Sequence, residues 1–273
     1  MPVICISREL GCGGEKTARE LAEIGGYRFI EREVIEANLT KHNLTREALL
    51  QYDERKPGFW AALSENRDRY AHYLTEGICN EAAAGNCVIL GRGAAAVLQG
   101  IAGVVCVRLV APRPLRASRL QEVFSCDART AEQRIKQSDA NRIGFHKYFF
   151  EVDWQDPLMY HLTLNTGKLS FHEAALIIEK CRQVIVSPEK EAESKIRLEE
   201  LRLKNIVIGE VLFTRRIQIQ EFSVSVRGTD LRLTGCAVSN IAATNALEAA
   251  RGIPGVGNIT NSIMVVPPVV ASN

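Results

Sequence analysis

Three glycines near the amino terminus, Gly11, Gly13 and Gly14, lie between a short apolar run, Val3–Ser7, and an amphipathic stretch carrying Ala18, Leu21 and Ala22. Residue types in that order describe a strand, a tight turn and the start of a helix. Such a turn points several backbone N–H groups at one spot, and the helix dipole adds positive potential there, so phosphate is the ligand it suits. The standard nucleotide-binding pattern, G-x-x-x-x-G-K-[ST], adds a lysine for the β- and γ-phosphates and a hydroxyl for magnesium. Lys16 and Thr17 supply that pair in one frame, but Leu10 and Glu15 then stand at the two glycine positions. Sliding the frame so that Gly11 and Gly13 fall in the loop puts Gly14 at the lysine position and Glu15 at the hydroxyl position. Neither frame completes the motif. The stretch from Arg8 to Thr17 is therefore expected to bind nucleotide phosphates without the full catalytic set.

Two residues in the turn admit more than one reading. Arg8 either pairs with the adjacent Glu9, shaping the loop, or replaces the charge of the missing lysine. The ion pair is preferred, because a free carboxylate beside a phosphate is repulsive. Cys12 at a helix N-terminus is expected to have a lowered pKa, although packing of a small residue is the preferred reason for its presence.

Further arginines could meet phosphate, whose oxygens match the guanidinium fork. Arg92 follows the apolar run Cys87–Leu90, at what should be the carboxyl edge of a sheet, where open α/β sheets bind ligands. A structural cap is the alternative. Arg116, Arg119, Arg134 and Arg142 fall on two expected helices, with Glu122, Glu132 and Asp139 as competing partners on a solvated face. His146, Tyr148, Phe149, Phe150 and Trp154 read as packing residues. Asp153 reads as a helix cap, a hinge or a magnesium contact.

The elements that must position these residues alternate through about residue 185. Strands are expected at Val3–Ser7, Cys87–Leu90, Val104–Val110 and Leu162–Leu164. Helices are expected at Glu15–Ile24, Glu31–Leu39, within Phe59–Ala84, and at Leu115–Phe124, Ala131–Gly144 and Phe171–Val186. Short β-branched runs between helices describe a parallel sheet wrapped by helices. Ser187-Pro188 interrupts the rhythm and a charged run follows, so 1–187 is expected as one domain and 188–195 as a linker leading into a helix. Residues 196–268 then read as α-β-β-α-β, a small α+β domain with no nucleophile–base or paired-carboxylate arrangement. The tail Pro267–Asn273 is expected to fray.

Composition bounds the function classes. The chain has 273 residues, 46% hydrophobic and 24% charged, which fits one large globular domain or two modest ones. A net charge of +2 without a basic block gives no reason to expect nucleic acid as a partner. The eight cysteines are scattered without C-x-x-C and the five histidines lack ligand spacing, so no metal site is expected. No apolar stretch approaches the roughly 20 residues of a membrane span, and no leader pattern opens the chain. A cytoplasmic location is expected.

Motifs spread over the first 185 or so residues resemble those of the cytidylate kinase-like family, a branch of the nucleoside monophosphate kinases within the P-loop fold. They are Ile6-Ser7-Arg8-Glu9-Leu10-Gly-x-Gly-Gly, Val88-Ile89-Leu90-Gly91-Arg92-Gly93, Arg116-x-x-Arg119, Asp139-x-x-Arg142, Tyr148-Phe149-Phe150-x-Val152-Asp153-Trp154, and Leu164-Asn165-Thr166-Gly167-Lys168-Leu169-Ser170. The resemblance implies ATP and Mg2+ as cofactors and phosphoryl transfer to a nucleoside monophosphate or another small acceptor. It implies that Gly11–Gly14 holds the donor phosphates and that Arg92 faces the acceptor. Arg116 and Arg119 would begin a mobile lid whose second half carries Arg134 and Arg142, and Asn165 and Thr166 would lie near adenine. Authentic cytidylate kinases have Gly-Arg-Asp where this chain has Gly91-Arg92-Gly93, so a carboxylate for the acceptor ribose is missing. With the lysine also missing, the alternative is a catalytically silent nucleotide sensor or an interaction protein. The C-terminal segment, with Leu231-x-Leu233-x-Gly235 and Gly255-Val256-x-x-Ile259-x-Asn261, resembles a BON domain. That resemblance implies a binding or regulatory module for phospholipid or a protein partner.

Overall fold

The computed structural model describes residues 2–42 and 64–266, and the chain divides into two compact units, Met1–Lys195 and Ile196–Asn273. The first unit is built on five parallel strands: β1 (Val3–Arg8), β2 (Arg28–Ile30), β3 (Cys87–Leu90), β4 (Val104–Val110) and β5 (Leu162–Asn165). Their order is β2-β3-β1-β4-β5, so the chain steps to one side of β1 and then to the other. β3 is a continuous apolar run, β1 is apolar from Val3 to Ile6 and β4 is apolar but for Arg108, because the central strands are buried on both faces. β2, only three residues long, has too little pattern to be read from sequence.

Helices flank this sheet: α1 (Gly14–Gly25), α2 (Arg32–Lys41), α3 (Ser64–Ala84), α4 (Ala94–Val97), α5 (Arg113–Phe124), α6 (Ala128–Phe150) and α7 (Phe171–Ile185). α1 and α7 pack together over a core that includes Ile4, Ile6, Leu21, Val88, Val107 and Ile178. The starts of the later helices are written in sequence. Ser170 and Glu173 close a reciprocal capping box on α7, and Asp127 accepts the Thr130 N–H at the start of α6. α6 is longer at both ends than the expected 131–144, and takes in Tyr148, Phe149 and Phe150. An onset of α3 at Phe59 lies outside the described residues, as does the tail Pro267–Asn273.

Residues 188–195, expected as a linker, are helical and open α8 (Pro188–Ile208), which crosses the division between the units and ends in a wide π-type turn, Gly209–Thr214. The second unit continues with β6 (Ile219–Arg227), β7 (Asp230–Ala237), α9 (Asn240–Arg251) and β8 (Ile259–Val265). β6 and β7 form an antiparallel hairpin, and β8 joins β7 in parallel after the α9 crossover. Leu203, Val207 and Val211 pack with Val224, Leu233, Ala246 and Ala250 in a core of this unit's own. The expected α-β-β-α-β order is the observed one. No helix among the described residues is long and apolar enough to cross a membrane.

Candidate active site

β1 ends at Arg8, and the chain reaches α1 through a turn in which Gly11 (φ 80°) and Gly13 (φ 79°) adopt the left-handed conformation. A Cβ on Gly13 would overlap the Phe171 ring, so this position needs glycine for its backbone and for its packing alike. Three successive carbonyls of the turn are anchored by side chains. Arg116 Nε donates to Leu10 O at 2.7 Å, Arg119 Nη1 to Gly11 O at 3.3 Å and Thr166 Oγ1 to Cys12 O at 2.6 Å. The carbonyl and amide of one peptide plane point in opposite directions, so this anchoring turns the intervening amides away from α5 and β5.

The acid within the turn has partners other than the expected one. Glu9 takes Arg116 at 3.1 Å, Arg108 at 3.5 Å and the Ala111 N–H at 3.2 Å, where sequence reasoning paired it with Arg8. Arg116, 4% exposed, also grips both carboxylate oxygens of Asp139 through one nitrogen, at 2.7 and 2.8 Å. Arg119 donates to Thr166 O at 2.8 Å and lies over the Phe171 ring, 5.0 Å from its centroid. Both arginines thus contact the glycine turn from α5.

Arg142 is buried, donates to Ser138 Oγ at 2.9 Å and bears on the Cys12 thiol together with Arg8. Burial pushes that thiol up. The charges of Arg142 and Arg8 oppose the rise without overcoming it, so the lowered pKa expected for Cys12 is corrected: desolvation outweighs its place beside a helix N-terminus. Arg134 is exposed and lies over Phe124, 4.7 Å from the ring centroid.

Arg92, 2% exposed, adopts a left-handed φ of 55° and pairs with Glu36, which also receives Arg32 Nε at 2.7 Å. The next residue, Gly93 (φ 78°), would place a Cβ in the Phe150 ring. The Asp153 carboxylate accepts the Gln155 N–H at 2.9 Å and so closes a turn. Asn165 Oδ1 likewise accepts the Gly167 N–H at 2.9 Å, while Thr166 is buried against the glycine turn.

The Lys16–Thr17 frame is not the one the fold uses, since the helix begins at Gly14. Lys16 is exposed, with its Nζ 5.6 Å from the Phe171 centroid, and Thr17 is fully buried on the core face of α1. Glu15 is exposed and pairs with Arg19 at 3.1 Å. Sequence reasoning missed Arg108 and Phe171. Arg108 carries a signal, a cation inside the otherwise apolar β4, where it lies over Trp154 at 4.6 Å while Trp154 Nε1 donates to Ser7 Oγ at 2.7 Å. Phe171 carries none, because its role comes from a contact with a residue far away in sequence.

The profile of the cytidylate kinase-like family matches residues 3–168. No curated protein matches the chain. Among solved structures it is similar to an uncharacterized protein from Eubacterium ventriosum ATCC 27560, at 24% identity and a TM-score of 0.54, covering 67% of this chain and 98% of that one. It is also similar to a shikimate kinase from Acinetobacter baumannii in complex with shikimate, at 15% identity and a TM-score of 0.40, covering 67% and 94%. A gluconokinase from Sinorhizobium meliloti 1021 matches at 16% identity and a TM-score of 0.42, covering 67% and 93%. The Eubacterium likeness concerns the fold.

Proposed function

The chain belongs to the cytidylate kinase-like family, and from that premise we propose that it takes ATP at the Gly11–Gly14 turn and passes the terminal phosphoryl group to a small acceptor beside Arg92. One observation carries this reading. The turn sits at the carboxyl end of the central strand with its amides turned away from α5, Arg8 and Arg142 bear on Cys12 inside it, and the Arg8 guanidinium abuts Gly91, next to Arg92. Phosphoryl transfer asks a protein mainly for positioning and for positive charge around the equatorial oxygens. An ATP-dependent role favours a cytoplasmic location.

The turn and its arginines suit the polyphosphate of ATP. They do not build a magnesium site. The position that the standard motif gives to a hydroxyl holds Glu15, whose carboxylate pairs with Arg19, and the nearby Glu9 and Asp139 are taken by arginines. Among the described residues no group of three acidic, histidine or cysteine side chains could hold a metal. Magnesium enters this reading only as the counter-ion that ATP brings with it.

A nucleoside monophosphate is the acceptor class the family favours, with CMP a poor member, because Phe150 fills the room of a carboxylate after Arg92. Incubation with magnesium-ATP and a panel of nucleoside monophosphates tests this. We expect measurable transfer, with turnover on CMP below the roughly 10–100 s⁻¹ of an efficient kinase. The same Phe150 contact favours a second reading, a catalytically silent nucleotide sensor. Calorimetric binding of ATP with no transfer to any acceptor would select it, and absence of ATP binding would overturn both.

For the second unit the proposal is a BON-like binding module that folds separately from residues 1–187. The hairpin β6–β7 followed by α9 and β8 supports it, as does a sequence without a nucleophile–base pair. Pull-down and lipid-vesicle assays on full-length protein with and without this unit would distinguish a protein partner from phospholipid.

A further inference from the structure

The structure aligns the motif in a way that exposes an exchange. With α1 starting at Gly14 and the left-handed Gly13 just before it, Gly13 is the second glycine of G-x-x-x-x-G-K-[ST] and Gly14 stands in place of the lysine. Counting back five residues from Gly13, the first glycine position is held by Arg8. The standard pattern has no side chain at the first position and a long cation at the lysine position. Here the long cation is at the first position and the lysine position is bare.

The two positions touch. A Cβ on Gly14 would lie 2.7 Å from Arg8 Cγ and 2.8 Å from Arg8 Cβ. The backbone therefore has room for one side chain at this crossing, from β1 or from α1, and not for both. Arg8 runs across the first turn of α1, and its guanidinium abuts Gly91, next to Arg92 at the end of β3. Its charge is also felt at Cys12 inside the turn. A cation carried on β1 thus arrives where a lysine on α1 would have crossed. We infer that Arg8 is the phosphate-binding cation of this site, exchanged in position with the lysine of the standard motif, and that its ligand is the polyphosphate tail of a nucleoside triphosphate. A guanidinium can hold two phosphate oxygens at once, which a lysine ammonium does as a point charge only.

This inference rests on the nucleotide-binding reading, and one calorimetric series separates the two. The ligands are magnesium-ATP and adenosine, and the proteins are the unmodified chain, Arg8→Ala, Arg8→Lys, Gly14→Lys and the exchange variant Arg8→Gly/Gly14→Lys. Arg8→Ala should weaken ATP binding by roughly 10- to 100-fold, as expected for losing charge-assisted hydrogen bonds, and leave adenosine binding unchanged. Arg8→Lys should fall between Arg8→Ala and the unmodified chain. Gly14→Lys alone should bind ATP more weakly than the unmodified chain, because the new side chain meets Arg8. The exchange variant should bind ATP more tightly than Arg8→Ala. Unchanged ATP affinity in Arg8→Ala overturns the inference and leaves nucleotide binding standing. Equal weakening of ATP and adenosine, or an exchange variant no tighter than Arg8→Ala, overturns it as well. Failure of the unmodified chain to bind ATP overturns both.

Discussion

At the residue scale, two departures from the expected motifs have one physical cause. Where the motif calls for lysine the chain has Gly14, and the space belongs to Arg8. Where a carboxylate is expected after Arg92 the chain has Gly93, and the space belongs to Phe150. Each glycine is thus half of a packing decision whose other half lies elsewhere in the sequence. Restoring the carboxylate alone should be harmful. Gly93→Asp must place an L side chain at φ 78° and drive a Cβ into the Phe150 ring, a strain and overpacking cost of about 2–4 kcal/mol together. Urea unfolding should show that loss, and CMP phosphorylation should not improve. A variant as stable as the parent would mean that Phe150 moves aside readily.

At the element scale, the pairing of α1 with α7 holds the floor beneath the glycine turn, and a polar contact fastens it. The Tyr27 hydroxyl, just beyond the end of α1, donates to Glu179 of α7 at 2.6 Å, and Arg182 pairs with the same carboxylate. Burial raises the pKa of Glu179, but hydrogen bonds from Arg182, Tyr27 and Gln183 outweigh it and hold the carboxyl below its ordinary value. A carboxylate depressed in the folded state contributes stability that is present above its unfolded pKa, about 4.3, and lost as pH falls through the lower folded value. Thermal melts should therefore fall more steeply below about pH 4.3 for the parent than for Glu179→Gln. At neutral pH, Tyr27→Phe should cost about 1–3 kcal/mol, because a buried charged acceptor loses one donor. Parallel pH profiles for parent and Glu179→Gln would show that the contact carries no linkage.

At the scale of the whole molecule, the chain is two compact units with separate cores, and α8 runs through the division at Lys195–Ile196. The part of α8 after the division carries Leu203 and Val207 into the core of the second unit. Residues 196–273, expressed alone, keep those side chains and should unfold in one cooperative thermal transition. Stability should be low, because a core of this size leaves little surplus over conformational entropy. A non-cooperative melt, with a single transition in the full chain, would overturn their independence.

Much of this protein was legible in its sequence because the signals are local. Apolar runs marked the buried strands β1, β3 and β4, the stretch Phe171–Val186 marked α7, and the order of elements in the second unit followed from periodicity alone. The glycine turn and Arg92 were legible as candidate positions for the same reason, since each sits at the boundary of a readable element, whereas Thr166 was reached only through the family resemblance. Partners were not legible. Which acceptors hold Arg116, that Glu9 answers Arg108, and that Phe171 covers Gly13 depend on residues that lie apart in sequence and meet only in the fold. The frame of the motif also waited on the fold, because composition permits two alignments of glycines and lysine. Only the start of α1 at Gly14, and the crossing of Arg8 over it, select one, since two side chains cannot occupy the same volume.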